Sequence, residues 1–180
     1  TTNYYVTQTV SGCVSPQATI AVIVNPLSVG GAVNSNATGC TGTNSGTVYL
    51  TGQTGNVLNW QYSTDGGTSW TNITNVTDSQ SYSNLTQTTI GRAIVQSGVC
   101  ASVNSSPDTI TVVAPGSWSG AVSTNWNDSR NWLCGQIPTS TINVTIPAGA
   151  SYYPIITSGI DTANNITIAS GGSLTIGSGA

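Results

Sequence analysis

The sequence predicts an all-β chain, with sandwich-type repeats followed by the opening of a parallel solenoid. Three observations predict it. Val, Ile, Thr, Tyr and Trp dominate, and these residues fit pleated sheet. Gly, Asn, Ser and Pro cluster between the apolar runs, as turns require. No stretch repeats apolar residues at helical spacing.

Composition narrows the function classes. The chain has no His, Lys, Glu, Met or Phe, and its charged side chains are Arg92, Arg130, Asp65, Asp78, Asp108, Asp128 and Asp161. Ser, Thr and Asn make 70 of the 180 residues, yet hydrophobic residues reach 37% and the net charge is only −3. Disorder needs low hydrophobicity with high net charge, so a folded chain is expected. Two Arg cannot form a basic footprint, which argues against nucleic acid and against anionic membranes. No run of about 18 apolar residues is present, so no membrane insertion is expected in this segment. General acid–base work lacks its usual residues, and five scattered Asp in turn-like contexts make a poor carboxylate pair. The expectation is therefore no enzyme and no cofactor; a calcium site would need more carboxylates than the loops supply. Four Cys without metal-ligand spacing suit an extracellular setting. Residue 1 is not Met, so a segment of a longer protein is expected.

An internal repeat sets the domain reading. Residues 6–26 read VTQTVSGCVSPQATIAVIVNP and residues 92–115 read RAIVQSGVCASVNSSPDTITVVAP. Each has an apolar strand, a Ser-Gly turn, a Cys, a small polar stretch with Pro, then an alternating strand ending in Pro26 or Pro115. The repeat distance of about 89 residues is that of a tandem sandwich array. Residues 1–25 then read as the last strands of a truncated domain, 26–114 as a complete one, and 115–180 as a different module.

Within 26–114, strands are expected at 45–51, 57–63, 70–74, 81–86, 89–96 and 109–113. Leu58, Trp60 and Tyr62 alternate onto one face, which makes Trp60 a core residue. Asp65-Gly66-Gly67 is expected to form a tight hairpin turn. About seven strands with regular turn signals give the profile of an immunoglobulin-like sandwich. After Pro115 come three closely spaced Trp in SWSGAVSTNWNDSRNW, then INVTIPAG, then NITIASGGSLTI. Ile142, Val144, Ile146, Ile166, Ile168, Leu174 and Ile176 are expected to face one apolar interior. Short similar strands at close spacing predict the first rungs of a parallel β-solenoid that continues past residue 180.

Several residues carry site readings. STDGGTSW (63–70) resembles the Asp-box of sialidases, in which Asp and Trp hold a hairpin and do no chemistry; Asp65 and Trp70 take that structural role here. Trp118, Trp126 and Trp132 have two readings: core residues, or a platform that stacks on sugar rings. Asp128 and Arg130 read as a local ion pair.

TNSGTVYLTGQTGNVLNWQYSTDGGTSWTNITN and YSNLTQTTIGRAIVQSGVCASV resemble the immunoglobulin-like repeats of giant adhesin-like surface proteins of Bacteroidota. NYYVTQTVSGCVSP resembles the end of a neighbouring repeat type. The segment from WSGAVSTNWNDSRNWLCGQIP to NITIASGGSLTI resembles the Trp-rich module that opens a parallel β-helix there. The resemblance implies export by the type IX route and a cell-surface, extracellular location. It also implies a structural or adhesive stalk or filament role, with neighbouring domains, a surface polysaccharide or further copies of the chain as partners. The competing function is a carbohydrate-binding accessory module of a secreted polysaccharide-degrading enzyme. Modification at Asp, then Ser or Thr, then an apolar or small residue would place O-glycans on Thr109 and Thr162. A Cys40–Cys100 disulfide is expected, because these are the two Cys of the complete domain and their span resembles the inter-sheet bridge of immunoglobulin domains. The alternative is that each bridges to a neighbouring domain, with Cys134 free or paired outside the segment.

Overall fold

The computed structural model describes residues 1–35, 37–157 and 159–179. The protein is all-β: no α-helix occurs among the described residues, and the helical content is two 3-10 turns.

The first strands are β1 (Thr2–Val6), β2 (Thr9–Val10), β3 (Cys13–Val14) and β4 (Ala18–Val22). They form one long antiparallel hairpin, β1 against β4 and β2 against β3. Ser11 (φ 48°) and Gly12 (φ 82°) make its turn in the left-handed region, which glycine enters without penalty. Opposed residues share a face, so Thr2, Tyr4, Val6, Ala18, Ile20 and Val22 line one side. That side has no cover: Tyr4 is 56% and Ile20 50% exposed.

The next strands are β5 (Ala32–Asn34), β6 (Thr38–Cys40), β7 (Ser45–Thr51), β8 (Asn56–Ser63) and β9 (Thr71–Ile73). They are followed by β10 (Ser79–Ser83), β11 (Thr89–Gln96), β12 (Val103–Asn104) and β13 (Asp108–Val113). They make two sheets. One has the order β10-β7-β5; the other has the order β6-β13-β11-β8-β9, with β12 also on β11. The chain changes sheet between Asn34 and Thr38. β5 pairs antiparallel with β7, whereas β6 runs parallel to β13. Val33, Val48 and Leu50 from the first sheet meet Val57, Trp60, Ala93, Val95 and Ile110 from the second in one core. Trp60 is buried and its indole N–H donates to Thr77 O at 2.9 Å, so its polar edge is satisfied.

The expected alternation fails at Leu58. The β8–β11 register shifts between Ile94 and Val95, where a β-bulge puts one extra residue in β8. Val57 and Trp60 therefore both face the core, while Leu58 turns out and is 44% exposed. The hairpin at Asp65 is also longer than a tight turn. Tyr62 pairs with Thr71, which leaves residues 63–70 as a loop.

The last strands are β14 (Val144–Ile146), β15 (Ile155–Ile156), β16 (Ile166–Ile168) and β17 (Thr175–Ile176). Strands adjacent in sequence do not pair. β14 pairs in parallel with β16, and β15 with β17. Parallel bridges Ser117↔Thr145 and Asn125↔Ile155 add an earlier tier. Each tier thus stacks on the one before it on two sides, because a parallel partner requires the chain to come fully round first. The pairing skips the neighbouring strand in sequence on both ladders. Val144 and Ile146 are buried against the three Trp, with Ile156 and Leu174 packed on the same cluster. Ile166, Ile168 and Ile176, expected to face a closed interior, are instead exposed, since β16 and β17 form the outermost tier.

Asn131 organises the irregular part of this module. It is completely buried; its Oδ1 accepts from Val122 N and Ser123 N, each at 3.0 Å, and its Nδ2 donates to Ser123 Oγ at 3.0 Å and Asn125 O at 2.9 Å. All four bonds replace water for groups on the 122–125 loop. Asn131→Ala removes the partner of two part-buried donors and one carbonyl, at about 1 kcal/mol each, the low end for an unsatisfied group because water partly reaches the loop. A loss of roughly 3 kcal/mol or more is expected, measured as a lowered urea midpoint of the Trp-fluorescence transition. Asn131→Asp should lose at least as much, because it forfeits both Nδ2 bonds and turns a carboxylate oxygen toward Asn125 O in a site without exposure.

Candidate functional site

The feature that joins the two modules is a disulfide between Cys40 and Cys134, with a Cα–Cα distance of 5.6 Å, inside the normal range. The expected Cys40–Cys100 bridge is therefore incorrect, and Cys134 is not free. The physical reason is the change of sheet before β6. It carries Cys40 along β13 to Val113, at the end of the domain that faces the next module. Cys100 follows the turn after β11, where its thiol donates to Pro26 O at 3.5 Å. Cys13 and Cys100 are free thiols. Sequence reasoning had the signal for this in the alternative that a cysteine bridges to a neighbouring domain, but it could not choose Cys134.

Backbone hydrogen bonds order the chain on each side of the bridge, within the first module and within the second. Thr41 N donates to Val113 O at 3.0 Å, Leu133 N to Ser117 O at 2.8 Å and Trp118 N to Thr145 O at 2.9 Å. A Cβ at Gly116 would lie 2.2 Å from Asn143 O, so the linker passes where no side chain fits. Cys134 sits at φ 73°, which is uncommon for a residue other than glycine, and Gly135 follows it at φ 63°.

Trp118, Trp126 and Trp132 are 1%, 2% and 3% exposed, so the sugar-platform reading of these residues is corrected. Trp132 meets Trp118 at 4.9 Å and 84°, and Trp126 at 4.8 Å and 77°, in edge-to-face contacts that build a core. Trp118 Nε1 donates to Tyr152 O and Trp132 Nε1 to Trp126 O, each at 2.7 Å. Beside them, Arg130 Nη2 lies 2.7 Å from Asp128 Oδ2, an ion pair within one turn. The hydrogen bond from Arg130 lowers the Asp128 carboxyl, and the Arg130 guanidinium is raised in return.

Asp65 and Trp70 bring the 63–70 loop together. The Asp65 carboxylate accepts from Ser69 N at 2.9 Å, from the Ser69 hydroxyl and from Ser63 Oγ at 2.7 Å. Trp70 Nε1 donates to Gly67 O at 2.9 Å, and the Arg92 guanidinium stands 3.8 Å over the Trp70 ring. These contacts hold the loop closed on itself.

Thr109 and Thr162 are both exposed. Thr109 lies inside β13 opposite Ile90, while Thr162 lies in irregular chain before β16. Among the described residues no group of three or more His, Cys, Asp and Glu could hold a metal ion, and no helix is long and apolar enough to cross a membrane.

Residues 29–114 match a family model described as a domain of unknown function, DUF8696, and residues 117–180 match a second such description, DUF8693. The two matches meet at the 115–116 linker, so the disulfide joins the DUF8696 region to the DUF8693 region. Neither the curated proteins nor the solved structures contain a match.

The Asp65 loop gives a pH prediction. Bonds from the Ser69 hydroxyl, the Ser69 N–H and the Ser63 hydroxyl hold this carboxyl well below the usual carboxylate range. A lowered folded-state pKa contributes stability that is full above the unfolded value of about 3.9 and is lost as pH falls through the folded one. Asp65→Asn should therefore unfold at lower urea than the parent by a constant margin from about pH 8 to about pH 5. Below about pH 4 the margin should narrow, because the carboxyl of the unfolded parent takes up a proton there while the folded one is still ionised.

Proposed function

We propose that the chain is a structural or adhesive stalk segment of a large secreted cell-surface protein. The observation that carries this reading is the Cys40–Cys134 disulfide, which ties two successive modules across a linker of two or three residues. A covalent cross-link at a junction prevents the modules from swinging or peeling apart under tension. Disulfides persist in oxidising compartments, which supports an extracellular location.

The finer fold readings serve the same role. Two sheets joined by a strand that changes sheet agree with an immunoglobulin-like sandwich. Parallel tiers at successive coils agree with the start of a β-solenoid. The uncovered face of the 2–22 hairpin agrees with the end of a preceding sandwich domain. Resemblance to Bacteroidota adhesin-like proteins supports type IX export, with neighbouring domains, a surface polysaccharide or further copies as partners. The inventory of side chains favours neither an enzyme nor a nucleic-acid binder. The carbohydrate-binding alternative loses its main support with the burial of the three Trp.

Single-molecule pulling tests the load-bearing role. With the bridge intact, the 94-residue span between Cys40 and Cys134 is shielded from extension. Reduction, or Cys134→Ser, should lengthen the fully extended chain by roughly 300 Å at about 3.3–3.6 Å per residue. Equal extension of the oxidised and reduced chains would remove the mechanical argument.

O-glycosylation of Thr109 and Thr162 belongs to the same proposal. Glycans would hydrate a surface with almost no charge. The protein from its native source should weigh more than the recombinant protein by whole sugar units, with Thr162 the readier site because it is exposed outside any strand. Equal intact masses would end this part of the proposal.

A further inference from the structure

Between the two sheets of the 29–114 region lies a cleft of about 350 Å³, beside the edge strands β9 and β10 and the 83–87 turn. Its walls include Trp60, Tyr62, Ile73, Tyr82 and Leu85, and no charged side chain lines it. The volume falls in the range of small-molecule pockets, which are mainly apolar with a few polar groups at the mouth.

The cleft exists because of Gly91. Gly91 pairs with Tyr62 across the β8–β11 ladder, so the two share the inward face. A Cβ built on Gly91 meets nothing within 4 Å, and its φ is an ordinary one. Tyr62 therefore does not lean over its cross-strand glycine. Tyr82 behaves in the opposite way: a Cβ on its partner Gly46 would lie 2.5–3.0 Å from the Tyr82 ring and hydroxyl. One aromatic ring covers its glycine, and the other leaves open space.

The N-terminal hairpin, aligned on its Cys and its strand pairing, has a bulkier residue at the matching place. A shift of 87 residues carries Thr2 onto Thr89, Tyr4 onto Gly91 and Cys13 onto Cys100. The strand pairing agrees: Thr2↔Val22 and Tyr4↔Ile20 correspond to Thr89↔Ile110 and Gly91↔Asp108. The position that is Tyr in the first hairpin is vacant in the second.

We propose that the cleft over Gly91 binds a small neutral ligand with a single aromatic ring. The lining explains the class. No charge faces the cleft to hold an ion, and its exposed lining is mainly apolar, with amide groups such as Gln61, Gln80 and Asn84 among the lining residues. Trp60, Tyr62 and Tyr82 among the lining offer faces and edges on which an aromatic ring can pack. A phenol-type ring matches the missing Tyr side chain in shape and leaves one hydroxyl for the polar mouth.

The test is titration of the 180-residue chain with p-cresol, followed by amide chemical shifts, with glucose as the polar ring of similar size. Saturable shifts confined to residues around the cleft are expected for p-cresol, with Kd on the order of millimolar or tighter, and none for glucose. Gly91→Tyr should weaken p-cresol binding at least about tenfold and raise Tm, because the new ring fills the cleft without backbone strain. Gly91→Ala should bind within about threefold of the parent, since its methyl meets nothing. If Gly91→Tyr fails to fold, Gly91→Leu supplies the same block. No saturable shift at the cleft in the parent, equal binding of glucose, or full binding in the filled variant would overturn the proposal.

Discussion

Both cores depend on burying tryptophan. The chain has no Phe and no Met, so Trp supplies the largest apolar volume available. Trp60 spans the space between the two sheets, and Trp118, Trp126 and Trp132 fill the turn-rich start of the second module. A buried indole must also place its N–H. Trp60 reaches Thr77 O, Trp118 reaches Tyr152 O and Trp132 reaches Trp126 O. Each indole thereby pins a loop to a core, and the loops of this protein are largely ordered by rings that have nowhere else to put a donor. Trp126 Nε1 is buried without such a partner among the described residues.

The second constraint is the near absence of charge. With seven charged side chains, the loops are held by amides and hydroxyls. Asn131 serves four partners, and Asn44 joins Cys40 O, Leu85 O and Leu85 N. Asn can donate and accept at once, so a single side chain closes a loop that an ion pair could not. The Asn44 contacts anchor the end of β6, and so hold Cys40 where Cys134 can reach it. Neutral hydrogen bonds of this kind are not weakened by salt as exposed ion pairs are.

The two hairpins show how one pattern serves different ends. Their register is the same, but the face that is covered at 89–113 is open at 2–22. At one register position the first hairpin has Tyr4 where the second has Gly91. A tandem protein can vary its repeats in this way without disturbing the ladder, since backbone pairing does not depend on the inward side chain.

By itself the sequence determined the β character, the internal repeat and the core role of Trp60. All of these follow from local information: alternation, turn chemistry and composition over short windows. Tertiary structure decided the rest. The bulge in β8 turned Leu58 outward, because an inserted residue changes the face of everything beyond it. The crossing of β6 to the second sheet chose Cys134 as the partner of Cys40, a contact across 94 residues that no local pattern encodes. The pairing of β14 with β16, in place of neighbouring strands, came from the need of parallel ladders for a full return of the chain. Burial of Trp118, Trp126 and Trp132 was decided in the same way. A Trp suits a core and a sugar platform equally well, and only the surrounding coils settle which face of the ring meets water.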